Sequence, residues 1–493
     1  MHFEQFYLTC LAHASYMLAS EGVAAVVDPQ RDVDLYIDEA KKNNLRIAYV
    51  IETHLHADFV SGHRELAART GAEIVASRHA GATFPHRAVK DGDTLEFGRC
   101  VLRFLETPGH TPESTCILIT DLERPASDKE HQPWAVLTGD TLFIGDVGRP
   151  DLSPTHTPQQ LAGMLYDSLH GRLLKLPDEV EVYPAHGAGS LCGRNISSER
   201  RSTIGHERLY NYALQPMSRD EFIHLMTADL PERPEYFARD AEINRTGAAA
   251  LDALPPLPAL SPAEVQKKQA ADVVVLDTRP AAQFGAGHVP GSINIGLGGQ
   301  YASWAARLMG LDQPVILVAE DPDRVEESRM RLARVGMEKV VGQLEGGVLA
   351  WQKAGLSLDE VPQVSVHDVH EQLKQGADLQ VLDVRRDVEW NSGHVAQAQL
   401  APLDQLRAAA SPQANRPAAL ANLDTSRPVA VHCKSGYRSS IATSLLQRLG
   451  FRQVMNVTGG FDAWSAQKLP AVMEKGATPC SAAPAAEKAA TRA

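Results

Sequence analysis

At 493 residues the chain is long enough for about three domains of ordinary size, each able to bury its own core. With 44% hydrophobic and 22% charged residues, a net charge of -13 and no long lysine–arginine cluster, it reads as a globular protein with no nucleic-acid partner. No run approaches ~18 apolar residues and Met1–Leu11 lacks a basic region before a long apolar core, so a cytoplasmic protein with no membrane partner is expected. Cys10, Cys100, Cys116, Cys192, Cys433 and Cys480 are too scattered for a disulfide framework. They are expected to be reduced, with Cys100 and Cys116 acting as small hydrophobes in apolar runs.

From Met1 to about Arg245 strand-like runs such as Ala24–Asp28, Cys100–Phe104 and Ala135–Thr138 alternate with helix-like segments, an α/β pattern assigned to one domain over 1–245. Ile47–Ile51 is β-branched and aromatic enough to be a strand, and it runs into Thr53-His54-Leu55-His56-Ala57-Asp58-Phe59. Two histidines and an aspartate so close together can surround a cation only if the strand stops and a loop turns them inward. Three further candidate ligands stand where apolar strands run out: His110 in Thr107-Pro108-Gly109-His110-Thr111, Asp140 in Thr138-Gly139-Asp140, and His186 in Pro184-Ala185-His186-Gly187. Strand ends along one edge of a sheet are where α/β folds gather ligands, so all six candidates are expected to converge.

Residues 246–262 carry Pro255, Pro256, Pro258 and Pro262 and read as a stiff linker. Beyond it the chain repeats itself. Val274–Arg279 followed by Gly287-His288-Val289 matches Gln380–Arg385 followed by Gly393-His394-Val395, at a constant offset of 106, and Glu345–Trp351 matches Thr458–Trp464. This reads as two copies of a small α/β domain with a parallel sheet, over 263–360 and 361–473. The tail, 474–493, is expected to be disordered.

In the second copy Pro428–His432 reads as a strand running into Cys433-Lys434-Ser435-Gly436-Tyr437-Arg438 and then a helix. A cysteine at a strand end, before a short loop that opens a helix, faces backbone N–H groups and the positive helix end, both of which favour the thiolate. Lys434 and Arg438 add positive charge. Such a thiolate can take up a sulfane sulfur, and the same cradle can hold the persulfide anion. In the first copy Ala319 stands opposite Cys433, next to Glu320, Asp321 and Asp323, so that copy carries no sulfur and would repel an anionic donor.

The His-x-His-x-Asp segment, Thr-Pro-Gly-His-Thr, Thr-Gly-Asp and Pro-Ala-His-Gly together resemble the metallo-β-lactamase superfamily over about residues 1–245, which implies an αββα sandwich. In its dinuclear members, thioesterases of the glyoxalase II type, a histidine that helps hold a second metal follows the aspartate; here that residue is Phe59, which has no lone pair to donate. Two histidines and one carboxylate with open positions suit non-haem Fe(II) and O2. The superfamily branch with that arrangement is the persulfide dioxygenases, which oxidise glutathione persulfide or a related small persulfide to sulfite and thiol. The resemblance implies one Fe(II) per chain on His54, His110 and Asp140, with His56, Asp58 and His186 orienting ligands, water or the substrate's terminal sulfur. In the thioesterase alternative these last three bind metal as well. The resemblance also sets Arg149 against the carboxylates of the thiol carrier, with a salt bridge to Asp146 or Asp151 equally open. Cys192 is read as an inert thiol rather than a sulfur relay.

The Cys433 loop, closed by Arg438, resembles that of rhodanese sulfurtransferases, which implies that Cys433, Lys434 and Arg438 are catalytic and that Ser435, Gly436 and Tyr437 bind the substrate. Protein tyrosine phosphatases share a loop of this kind, but the surrounding Asp383-Val384-Arg385, Gly393-His394-Val395 and Gly459–Trp464 segments resemble rhodanese too. The whole chain resembles fusions of a persulfide dioxygenase with an inactive and an active rhodanese domain, expected to be a dimer or tetramer that acts on persulfide, O2, sulfite and thiosulfate. Sulfur flow towards thiosulfate or from it stays open. Two other classes compete: a dinuclear zinc thioester hydrolase with rhodanese binding modules, and a sulfur carrier with a purely structural metal. Phe59 disfavours the second, because structural sites have four protein ligands.

Overall fold

The strands of the first domain are apolar on both faces, so each face must find cover. In a computed structural model of the chain, which describes residues 1–125, 131–228, 230, 232–411 and 415–473, they form two six-stranded sheets. The expected disordered tail lies outside the described residues. The first sheet holds β1 (His2–Leu8), β2 (His13–Ser20), β3 (Val23–Val27), β4 (Arg46–Ile51), β5 (Glu73–Ser77) and β6 (Arg87–Val89) in sequential order. The second holds β7 (Thr94–Phe97), β8 (Cys100–Glu106), β9 (Thr115–Asp121), β10 (Ala135–Gly139), β11 (Glu181–Pro184) and β12 (Ser202–Thr203), again each beside the next.

Side chains alternate across a strand, and burial follows. Tyr16 and Leu18 of β2 share one core with Leu102, Ile117 and Leu137 of the second sheet. Met17 and Ala19, between and beyond them, share another with Tyr36 of the helix Asp34–Lys42 and Leu66 of the helix His63–Thr70. On the second sheet Leu118 and Val136 turn outward to Leu165 of the helix Pro158–Gly171 and Phe222 of the helix Arg219–Thr227. The outcome is the expected αββα sandwich. Backbone bonds gather the ends of the ligand-bearing strands: Thr115 N donates to Thr53 O at 2.9 Å, Ala185 N to Gly139 O at 2.9 Å and Ala14 N to Ala185 O at 2.7 Å.

The two copies fold alike. Strands β13 (Ala259–Leu260), β14 (Val274–Asp277), β15 (Ile293–Asn294), β16 (Val315–Val318) and β17 (Val340–Leu344) lie in the order β13-β17-β16-β14-β15. Strands β18 (Gln363–Val364), β19 (Gln380–Asp383), β20 (Ala398–Leu400), β21 (Val429–His432) and β22 (Val454–Val457) repeat that order. Because Ala259 and Leu260 pair with Gln343 and Leu344, the first of these sheets begins inside the segment expected to be linker. Asp277 pairs with Val318 as Asp383 pairs with His432, which sets Ala319 and Cys433 at the same strand end.

The repeated motif braces the turn after the strand. Arg279 bonds Asp277 and the Gly287 carbonyl, and Arg385 bonds Asp383 and the Gly393 carbonyl. His288 stacks on Phe284 and His394 on Trp390.

Contacts divide the chain into two units. The first holds Met1–Leu257, Gln300–Gln313 and Glu326–Val340, the second Pro258–Gly299, Pro314–Val325 and the described residues from Val341. The helix Tyr301–Met309 of the first copy thus belongs to the unit of the αββα sandwich, where Gln300 donates to Gly189 O at 2.8 Å and Arg334 pairs with Asp32 at 2.7 Å. No helix among the described residues is long and apolar enough to cross a membrane.

Gly460 has a φ of 53°, and a Cβ there would overlap the Cys433 carbonyl oxygen. Gly460→Ala is expected to cost about 2–3 kcal/mol, from left-handed strain plus displaced backbone, read as a lower urea midpoint. Gly450→Ala, with a φ of 86° and open space around it, is expected to show the strain alone, about 1–2 kcal/mol.

Candidate metal centre and sulfur-transfer loop

The six expected ligands come together, but they sort into three groups. His54, His110 and Asp140 are buried with their ligand atoms within 4.8 Å of one another. The Nε2 atoms of His54 and His110 lie 3.8 and 3.3 Å from Asp140 Oδ2. Each imidazole is oriented from behind. His110 Nδ1 donates to the Arg149 carbonyl at 3.0 Å, which leaves the Nε2 lone pair facing Asp140. Thr53 Oγ1 gives its proton to Asp28 Oδ2 at 2.8 Å, so it accepts from His54 Nδ1 at 3.0 Å with the same result. Burial holds both imidazoles neutral. Burial also works against the Asp140 charge, but the charged His186, which donates to it, outweighs burial and keeps the carboxyl well below its usual range. Gly148 permits this approach, since a Cβ there would stand 2.7 Å from His110 Nδ1. Two neutral imidazoles and an ionised carboxylate, all buried, make a donor set that fits a divalent cation.

His56 turns to a different pair of acids. Its Nε2 is 3.2 Å from Asp28 and 3.6 Å from Glu52, and these carboxylates overcome burial to raise its pKa. Phe59, fully buried, packs on the rings of His56 and His13 at 4.4 and 4.1 Å. Asp58, His186 and Cys192 form the third group. His186 donates Nδ1–H to Asp140 at 2.8 Å and sets Nε2 3.0 Å from Asp58. The two carboxylates outweigh burial and keep His186 charged. The Cys192 thiol is pushed well up by burial and then by Asp58 and Asp140, so it stays protonated.

Of the two arrangements open to Arg149, the structure has the salt bridge: Nε and Nη2 donate to Asp151 at 2.7 and 2.8 Å. Its carbonyl, rather than its charge, reaches the metal group. A cleft beside Asp58 is lined by Cys10, Ser190, Tyr236, Gln300 and Ser303. Asp28, Glu52, Thr53 and His13 were absent from the expected site. Asp28 and Glu52 close apolar strands just as Asp140 does, a signal that was present in the sequence; His13 carried none.

In the second copy Cys433 is buried, and its Sγ accepts from Gly436 N at 3.1 Å and lies 3.6 Å from Ser439 Oγ. Lys434 and Ser435 are exposed. Arg438 Nη1 and Nη2 grip both oxygens of Glu389 at 2.8 and 2.7 Å. Tyr437 donates to the Gly296 carbonyl at 2.8 Å and Ser440 to Asn294 Oδ1 at 2.6 Å, so a loop of the first copy steadies the Cys433 loop.

The fold and these two sites define a metallo-β-lactamase-type domain joined to two rhodanese-like domains. The family described as the Metallo-beta-lactamase superfamily matches residues 8–186, and the Rhodanese-like domain matches 261–354 and 365–467. Over 209 residues the chain is 32% identical to the mitochondrial persulfide dioxygenase ETHE1 of Bos taurus, a match covering 41% of this chain and 70% of that protein. Over 177 residues it is 30% identical to hydroxyacylglutathione hydrolase of Francisella tularensis subsp. novicida, covering 36% of this chain and 63% of that protein. A crystal structure of a metallo-beta-lactamase from Staphylococcus aureus subsp. aureus COL is similar at 30% identity and a TM-score of 0.62, over 69% of this chain and 98% of that one. The chain belongs to the persulfide dioxygenase family, fused to two rhodanese-like domains. At the level of its families it is an enzyme of dioxygenase and sulfurtransferase type.

Thr53→Val removes the hydroxyl that links Asp28 to His54, and is expected to weaken metal retention about 10–100-fold, measured as metal content after chelator competition. An unchanged retention would remove Thr53 from the site. Burial would raise the Glu389 carboxyl, but Arg438 brings it down to about 2. Being lower in the folded than in the unfolded chain, it contributes stability that is fully present above pH ~4.3 and is lost as pH falls from there towards 2. Melting temperatures of wild type and Glu389→Gln are therefore expected to differ at pH 6 and to converge towards pH 3.

Proposed function

We propose that the chain oxidises a low-molecular-weight persulfide, of glutathione or a similar thiol, to sulfite and the free thiol at a single Fe(II), and that Cys433 passes sulfane sulfur to or from thiosulfate. One persulfide, one O2 and one water give one thiol, one sulfite and two protons. The observation that carries the reading is Phe59. Its ring fills the place beside His56 where a second metal would need a donor, and His56 and His186 are already engaged by Asp28 and by Asp140. That leaves His54, His110 and Asp140 as the residues to hold the iron. When bound, iron(II) supplies the one-electron chemistry that O2 needs to react with a closed-shell sulfur.

The remaining work falls to the chain. His186 holds a proton between Asp58 and Asp140 and presents positive charge to a persulfide anion. Asp58 fixes that imidazole and borders the cleft. Thr53 and the Arg149 carbonyl keep the two ligating rings in register. In the second rhodanese-like domain the Cys433 thiolate attacks the outer sulfur of a donor, forming a Cys433 S–S bond as the donor's S–S bond breaks and the leaving group departs with the electron pair. Attack by sulfite on that outer sulfur returns the thiolate and forms thiosulfate. The reading includes a cytoplasmic dimer or tetramer.

The similarity to a hydroxyacylglutathione hydrolase favours a second reading, a dinuclear zinc thioesterase. Metal analysis with an O2-electrode assay separates the two. One iron per chain with persulfide-dependent O2 uptake is expected, whereas two zinc ions with thioester cleavage would overturn the proposal. Cys433→Ser is expected to keep O2 uptake and lose thiosulfate formation; loss of both would mean that the two activities are not separable.

A further inference from the structure

We propose that Glu389 sets the donor preference of the Cys433 loop: by holding Arg438 it withholds one positive charge from the loop, and so favours a persulfide monoanion over dianionic thiosulfate. The proposal rests on the sulfurtransferase reading of Cys433 and adds to it which sulfur donor the site is built for.

Arg438 and Arg385 are each paired with a carboxylate. Arg438 is held by two hydrogen bonds to Glu389, with the side chains 16% and 18% exposed. Glu389 is itself fixed, since Oε2 also accepts from Arg386 N at 3.1 Å. Arg385 is taken up by Asp383 and the Gly393 carbonyl. Burial keeps His432 neutral. The sulfur receives the Gly436 N–H, with the Ser439 hydroxyl nearby, a cradle suited to one negative charge at the reacting sulfur. A sulfonate group beside that sulfur needs a second cation, and a guanidinium is the group that binds such oxygens in pairs.

The first copy is an internal control. Where Glu389 stands in the second copy, the matching residue is Gln283, in the copy that has Ala319 for the cysteine. The helix Ala281–Ala286 still forms and His288 still stacks on Phe284, as His394 does on Trp390 beside the helix Asp387–Asn391. The fold is thus built without a carboxylate at this position, and the acid occurs in the copy that carries the thiol.

The sulfur-transfer step is the same for both donors. The Cys433 thiolate forms a bond to the outer sulfur, the donor's S–S bond breaks, and the electron pair leaves on sulfite or on the thiolate. Cyanide then takes the outer sulfur as thiocyanate and restores the Cys433 thiolate, with no external oxidant or reductant.

The test compares kcat/KM for thiosulfate and for glutathione persulfide, with cyanide as the common acceptor, on the full chain. Glu389→Gln keeps an oxygen for Arg438 but removes the charge, and is expected to raise the thiosulfate-to-persulfide ratio about tenfold, the effect of one charge at close range in a partly buried site. Arg438→Gln removes that cation and leaves Glu389 with Arg386 alone, and is expected to lower the ratio about tenfold. Ratios that stay within about twofold of wild type in both variants, with the two donors falling together, would make the pair a brace and overturn the proposal. If Glu389→Gln does not fold, the Arg438→Gln ratio decides alone. A wild-type chain that takes sulfur from neither donor would instead overturn the sulfurtransferase reading, an outcome distinct from an unchanged ratio.

Discussion

An ionised carboxylate sealed from water is costly unless positive charge or donors meet it on every side, and Asp140 is such a group. Much of the first domain answers that demand. His186 meets it with a proton, while His54 and His110, each turned by a hydrogen bond on the far side, face it with lone pairs that only a cation between them and the carboxylate reconciles. The strand ends that carry these residues come from both sheets, and their backbone bonds to one another hold the donor set rigid. A centre that leaves two lone pairs and one carboxylate pointing at a common point is incomplete without a cation, while its flanking residues are occupied with each other. His56 answers to Asp28 and Glu52, and Asp58 answers to His186.

The two rhodanese-like domains separate what a fold needs from what a reaction needs. Both keep the Asp–Arg brace, the histidine stacked on an aromatic ring and the pair of left-handed glycines after the last strand. One keeps a cysteine where the other has Ala319. The copy without the thiol still serves the molecule: Asn294 and Gly296 steady the Cys433 loop, while the helix Tyr301–Met309 packs within the unit of the metal domain. The packing of that copy does not depend on a thiol at position 319.

Sequence and structure agree where the chemistry depends on residue type along the chain. Short apolar runs ending in His or Asp marked the strand ends, because that reading requires no knowledge of a distant partner. The repeat matched Ala319 to Cys433, and the strand registers agree with it. The sequence reading left two arrangements open for Arg149 and named no partner for Arg438, for one reason: a guanidinium is defined by what it faces. Arg149 faces Asp151, two residues away but across a turn that periodicity does not describe, and Arg438 faces Glu389 from a separate helix.

By itself, then, the chain's order of residues determined the strand-end clusters of His and Asp, the αββα and rhodanese-like architecture and which of the two matched loops carries a cysteine. Tertiary structure alone decided how six candidate ligands divide into three groups and which cations are already spent on anions. Strand periodicity is local and can be read along the chain. Charge pairing is a matter of a few ångströms between segments far apart in sequence, as between Asp28 and His56 or Glu389 and Arg438, and only packing brings those together.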